Sequence, residues 1–193
     1  MHSKTKSLVG NAIFIAIVVV LQITASFIKF GPFSITLALA PIVVGAAIYG
    51  ISSGAILGGA FGLVVLIMCI NGVDIGGSIL WTANPLMTAL LCLAKGSLAG
   101  LLSGLVFRKL EKKNTYLAVI FAAIVCPLVN TGIFLLAMYG IFYDILVTWA
   151  GGSNLIYFMF IGLTGLNFLM ELLVNVVLSP IILRIIKIAK TTD

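Results

Sequence analysis

Residues 84–107 read NPLMTALLCLAKGSLAGLLSGLVF, a run whose single charge is Lys95. As an α-helix rising 1.5 Å per residue, it is long enough to cross a hydrocarbon core about 30 Å thick. Lys95 then lies near mid-membrane, where a cation costs roughly 2.5–3.5 kcal/mol on insertion scales. Such a residue persists only with a partner, a cavity or a task.

The rest of the 193 residues extends this reading. The chain is 62% hydrophobic and 8% charged, with a mean hydropathy of +1.31, whereas soluble domains carry about 25% charged residues. Polar punctuation divides it into six apolar spans, expected near residues 8–28, 34–50, 53–70, 82–107, 115–141 and 155–187. They predict an all-α integral membrane protein, a compact six-helix bundle forming one transmembrane domain over residues 1–193. The N-terminal run has the basic start of a signal peptide. It is too long for that role and lacks a small-residue cleavage pattern, so it is expected to remain as the first helix.

The net charge of +6 does not point to nucleic acid, because the basic residues flank apolar spans and form no aromatic-interleaved surface. They report topology instead. Lys4, Lys6, the cluster Arg108, Lys109, Lys112 and Lys113, and Arg184, Lys187 and Lys190 all fall on one side if the N-terminus is cytoplasmic, with Lys29 alone opposite. Both termini are therefore expected inside the cell. Asn71, Asp74, Trp81, Asp144, Trp149 and Asn154 then belong to the outer connections.

Cys69, Cys92 and Cys126 lie within apolar segments, with no CxxC pair, and read as small core residues. The single histidine, His2, sits at the terminus. No phosphate-binding GxxxxGK[ST] loop, catalytic carboxylate cluster or metal-ligand set is present, so no cofactor, metal or enzymatic activity is expected and any energy for transport must come from outside the chain.

Two ladders of small residues stand out, Gly50, Gly54, Gly58 and Gly62 in the third span and Gly96, Gly100 and Gly104 in the fourth. A spacing of four puts each on one helix face, where another backbone can approach closely. Internal packing accounts for them, and a sliding surface for a partner is the alternative.

Lys95 in the fourth span and Glu171 in the sixth lie at matching depth and are expected to meet, either as a structural clasp or with one of them facing a ligand. Amides gather nearby in Asn84, Asn130 beside Thr131, Asn167 and Asn175. At lipid depth each must hydrogen-bond to a neighbour, to backbone or to something bound. Their absence from the second and third spans predicts a polar cavity between spans four, five and six, its outer half lined by Trp81, Asn84, Tyr139, Tyr157 and Asn167. Aromatic walls, a few amides and one deeper charge suit a small polar molecule. Pro127 in CPLVNTGIF fits this picture by freeing a carbonyl one turn before Asn130, and a plain helix kink explains it equally well.

Three phrases carry a family resemblance: ITLALAPIVVGAAIYGISSGAILGGAFGLV across spans two and three, KGSLAGLLSGLVFRKLEKKN at the end of span four, and the Ala12-Ile13-Phe14-Ile15-Ala16 motif of span one. In their order they resemble the substrate-binding S components of energy-coupling factor (ECF) vitamin transporters. The resemblance implies a subunit in a prokaryotic cell membrane that captures a vitamin from outside. Its partners would be a transmembrane coupling protein, docked through Ala12 and Ala16, and two cytoplasmic ATPases. It also implies an outer-half pocket among the last three spans, covered by the KFGPFS connection. The CPLVNTGIF phrase with a lysine-bearing, glycine-rich fourth span is most similar to the pantothenate group. Lys95 would suit the carboxylate of that molecule, and the amides its hydroxyls and amide. Pyridoxine, riboflavin and folate stay open, as does a stand-alone ion-coupled transporter built on Lys95 and Glu171. A membrane enzyme acting on lipid head groups would need an interfacial catalytic cluster that the sequence lacks.

Overall fold

A computed structural model describes residues 2–30, 33–34 and 36–191. The described residues form a helical membrane bundle. Five helices contain spans long and apolar enough to cross a bilayer: α1 (His2–Ala25), α3 (Ile51–Ile70), α5 (Pro85–Leu110), α6 (Thr115–Gly140) and α9 (Gly165–Thr191). Between them lie α2 (Leu39–Tyr49), α4 (Ile75–Ala83), α7 (Tyr143–Ala150) and α8 (Leu155–Tyr157), the last continuing as a π-helical turn, Phe158–Leu163. Two short strands, β1 (Lys29–Phe30) and β2 (Phe33–Ser34), pair antiparallel between α1 and α2, with Lys29 opposite Ser34. Gly31 and Pro32 of the KFGPFS connection lie outside the described residues.

The second expected span is shorter than the sequence implies. At 1.5 Å per residue, the eleven residues of α2 cover only about 16 Å. Hydropathy alone does not distinguish a lipid-facing helix from one enclosed by protein, and α2 is enclosed, with every residue from Leu39 to Ala47 buried. Gly50 alone separates α2 from α3. Its φ of +105° is open to glycine and strained for other residues, and the chain reverses there.

The fourth span breaks at Asn84. This residue adopts an extended conformation, its side-chain oxygen accepts from the Met87 N–H at 3.1 Å, and Pro85 occupies the first helical position. Asparagine as N-cap followed by proline is a strong helix start, so Ile75–Ala83 becomes a separate outer helix. Asp74 caps that helix by accepting from the Gly77 N–H at 2.7 Å. The sixth span breaks at Thr164, whose hydroxyl donates to the Met159 carbonyl at 3.0 Å in the five-residue spacing of a π turn. The segment before it bends by 96° from α7, so residues 143–163 fold over the bundle end.

The two glycine ladders meet each other. A Cβ on Gly54 would strike the Gly100 carbonyl, one on Gly58 the Gly96 carbonyl, and one on Gly62 the Cys92 carbonyl, while Gly104 faces Ile51. Thus α3 and α5 run antiparallel in backbone contact. The neighbouring α5–α6 junction is tied by the fully buried Ser103 hydroxyl, which donates to the Ala122 carbonyl at 3.0 Å.

Apolar packing divides between the two ends. One core, including Ile42, Leu57, Phe61, Phe107, Val119 and Ile186, fills the interior between α2, α3, α5, α6 and α9. A second, around Leu80, Leu91, Met138, Leu146 and Leu163, lies under the outer helices α4 and α7. The chain's cationic connection between α5 and α6, where Arg108 pairs with Glu111 at 2.9 Å, lies at the opposite end from those outer helices.

Candidate functional site

A cavity of about 80 Å³ opens between the helices, toward the end that carries α4 and α7. On the same measure one water needs about 10–15 Å³, so there is room for more than solvent. The early part of α5 contributes Thr88, Leu91, Cys92 and Lys95; the later part of α6, Asn130, Thr131 and Phe134; and α9 with the turn before it, Leu163, Thr164, Asn167, Phe168 and Glu171. The expected framework of the last three spans is therefore present. It is completed by Gln22 from the end of α1, Thr36 ahead of α2, Val65 and Cys69 from α3, and Asp74, Gly77 and Leu80 around α4.

Of the candidate residues read from sequence, Lys95, Asn130, Thr131, Asn167 and Glu171 come together on this wall. Trp81, Asn84, Tyr139 and Tyr157 are not among its lining. Trp81 packs against the main core. Asn84 serves as the α5 cap. Tyr139 and Tyr157 are exposed, Tyr139 in edge contact with Tyr143 at 5.7 Å between ring centroids.

Lys95 and Glu171 share the cavity without bonding directly. Among the described residues no ion pair within 4.0 Å joins them. The Lys95 ammonium lies over the Phe134 ring, 5.6 Å from its centroid, within cation–π range. Thr36 and Asn130 lie against the Glu171 carboxyl group.

The wall carries buried acceptors without hydrogen-bond partners: Gln22 Oε1, Asn130 Oδ1, Asn167 Oδ1 and Glu171 Oε2. Gln22, Asn130 and Glu171 are 2%, 5% and 5% exposed. An unsatisfied buried polar group costs about 1–3 kcal/mol, so four around one space favour filling it with hydrogen-bond donors. A ligand with several N–H or O–H donors and one anionic group for Lys95 matches this wall. Asn175 differs, since its Nδ2 donates to the Glu171 backbone carbonyl at 2.8 Å and it does not line the cavity.

Sequence reasoning missed Gln22, Thr36, Asp74, Thr88 and Thr164. For Gln22 a signal was available, because an amide alone in IAIVVVLQITASF must find a partner. Asp74 lies in an outer connection as expected, but it caps α4 and is buried there. The thiols of Cys69 and Cys92 are buried yet border the cavity, whereas Cys126 is enclosed by the core, as expected of small packing residues.

Bundle and cavity together define a multi-pass membrane protein that encloses a small polar compartment. Residues 6–183 match the family described as ECF transporter, substrate-specific component, and the chain belongs to that family. No curated protein matches it. The chain is thus a substrate-specific subunit of an importer and not a member of an enzyme family.

Proposed function

We propose that the protein captures pantothenate, or a chemically close B vitamin, in this cavity and delivers it to an energising complex. The observation that carries the reading is the pairing of one cation with several orphaned acceptors on one wall. Pantothenate brings a carboxylate for Lys95 and two hydroxyls and an amide N–H for the acceptors of Gln22, Asn130 and Asn167. The absence of a direct Lys95–Glu171 ion pair favours this, because the ammonium is not already held by a carboxylate.

The positive-inside rule supports an outward-facing capture site. The cluster Arg108, Lys109, Lys112 and Lys113, followed later by Arg184 and Lys187, lies at the end opposite the cavity. Capture would then occur from outside, with both termini in the cytoplasm of a prokaryotic cell.

Ala12 and Ala16 are both exposed, one turn apart on α1, beside exposed Val9, Ile13 and Val20. This low-relief apolar strip is where we place docking of the transmembrane coupling protein, which in turn recruits two ATPases. Tight titration of the purified chain in detergent by one vitamin, with no ATPase present, is the expected result. Silence across a B-vitamin panel by folded protein would overturn the reading and shift weight to an ion-coupled transporter working through Lys95 and Glu171.

A further inference from the structure

The described cavity wall holds one more acid than base. Its charged residues are Lys95 from α5, Asp74 at the head of α4 and Glu171 from α9. The other titratable groups are the thiols Cys69 of α3 and Cys92 of α5 on the same wall and Cys126 of α6 near Glu171, while Gln22, Thr36 and Asn130 are neutral. A carboxylate-bearing ligand held by Lys95 would place a second anion beside Glu171 on the same wall.

The acids differ in what supports their charge. Asp74 accepts from the Gly77 N–H at 2.7 Å at the N-terminus of a nine-residue helix, whose dipole favours an anion. Glu171 has no ion pair with Lys95, is 5% exposed, and leaves Oε2 without a hydrogen-bond donor. Bringing a second anion beside it disfavours its ionised form, and protonation removes the repulsion and converts the unpaired oxygen from an acceptor to a potential donor.

We infer that Glu171 is a proton-binding position coupled to capture, so that an anionic substrate enters together with about one proton taken from solvent onto the Glu171 carboxylate. This rests on the proposal that the cavity takes a carboxylate-bearing vitamin. Because the complex holds more protons than the ligand-free protein, affinity falls as pH rises through the range in which free Glu171 is ionised. The limiting slope is about tenfold per pH unit.

The test is titration of the purified chain with pantothenate, at one mildly alkaline pH, in two buffers of different ionisation enthalpy. The expected result is uptake of about one proton per ligand. On ligand addition, an infrared difference spectrum should gain a protonated-carboxyl band. In Glu171→Gln that band should be missing and the affinity should not vary with pH. Buffer-independent heats in the wild-type chain would overturn the inference while leaving capture intact, and so would an infrared band that persists in Glu171→Gln. No binding by any vitamin would overturn both, and the wild-type result decides even if the variant fails to fold.

Discussion

Helix α5 shows two neighbouring faces built by opposite rules. On one, Gly96 and Gly100 press against α3 so closely that a methyl group has no room, Gly104 follows in tight contact with Ile51, and Ser103 beside them is fully buried with its hydrogen bond made. On the other, Thr88, Leu91 and Lys95 open onto the cavity, where acceptors from α1, α6 and α9 wait without donors. The seam lowers the energy of the empty protein by removing voids and satisfying polar groups. The cavity leaves polar groups without protein partners, and in the proposed function a ligand supplies their donors. Under the proposed function, stability and capture fall to different sides of one helix, which makes them separable by mutation.

The largest effect should come from the seam. Gly58→Leu drives a side chain into the Gly96 carbonyl and the adjoining backbone. Neither can yield cheaply, so a loss of about 3 kcal/mol or more is expected. Thermal melting in detergent should show the destabilised or unfolded chain, with binding lost as a consequence. A normal melt would mean that the two helices are not in backbone contact.

Ala16→Trp tests a third surface, outside both faces. The bulk should abolish vitamin uptake in cells that carry the energising complex, yet leave binding by the purified chain unchanged, because Ala16 is exposed and does not line the cavity. Loss of binding in detergent would contradict the separation.

A smaller and more selective change is expected for Asn130→Ala. Asn130 Oδ1 has no partner in the empty protein, but the amide also lies against the Glu171 carboxyl group, so a modest drop in melting temperature should accompany the change. Affinity should fall about tenfold through the lost ligand hydrogen bond. An unaltered affinity with a lowered melt would make Asn130 helix glue instead. Smallest is Asn84→Ala, which removes the α5 cap at a cost of about 0.5–2 kcal/mol. Titration should show vitamin affinity unaffected, because Asn84 does not line the cavity.

The same contrast explains what could be read from the sequence. A seam depends on one residue type repeated every fourth position along a helix, and both ladders were visible as soon as the spans were marked. That they face each other needed the antiparallel register of α3 and α5. The cavity depends on single residues from segments far apart in the chain. Lys95, Asn130, Thr131, Asn167 and Glu171 announced themselves because polar groups at lipid depth are costly. Thr36 and Thr164 gave no such signal, since a threonine can bond to its own helix, as Thr164 does to Met159. Tyr139, Tyr157 and Trp81 were drawn to the cavity by their depth along the chain, which does not fix the direction in which a side chain leaves its helix. The helix breaks at Asn84 and Thr164 set Trp81 and Tyr157 apart from the long helices that follow them, while Tyr139 leaves the unbroken α6 on an exposed side. Asn-Pro marks the first break locally, whereas the π turn has no comparable sequence sign.

The central claim is that the cavity face of α5 binds the vitamin and its glycine face does not. The most direct measurement is a paired titration of the wild-type chain and Lys95→Met with pantothenate, each accompanied by a thermal melt. Loss of a charge-assisted contact should weaken binding roughly 10–100-fold, with the melt preserved because the glycine seam is untouched. Equal affinity in the two proteins would contradict the account, and would remove the lysine near the middle of the bundle from the capture of substrate.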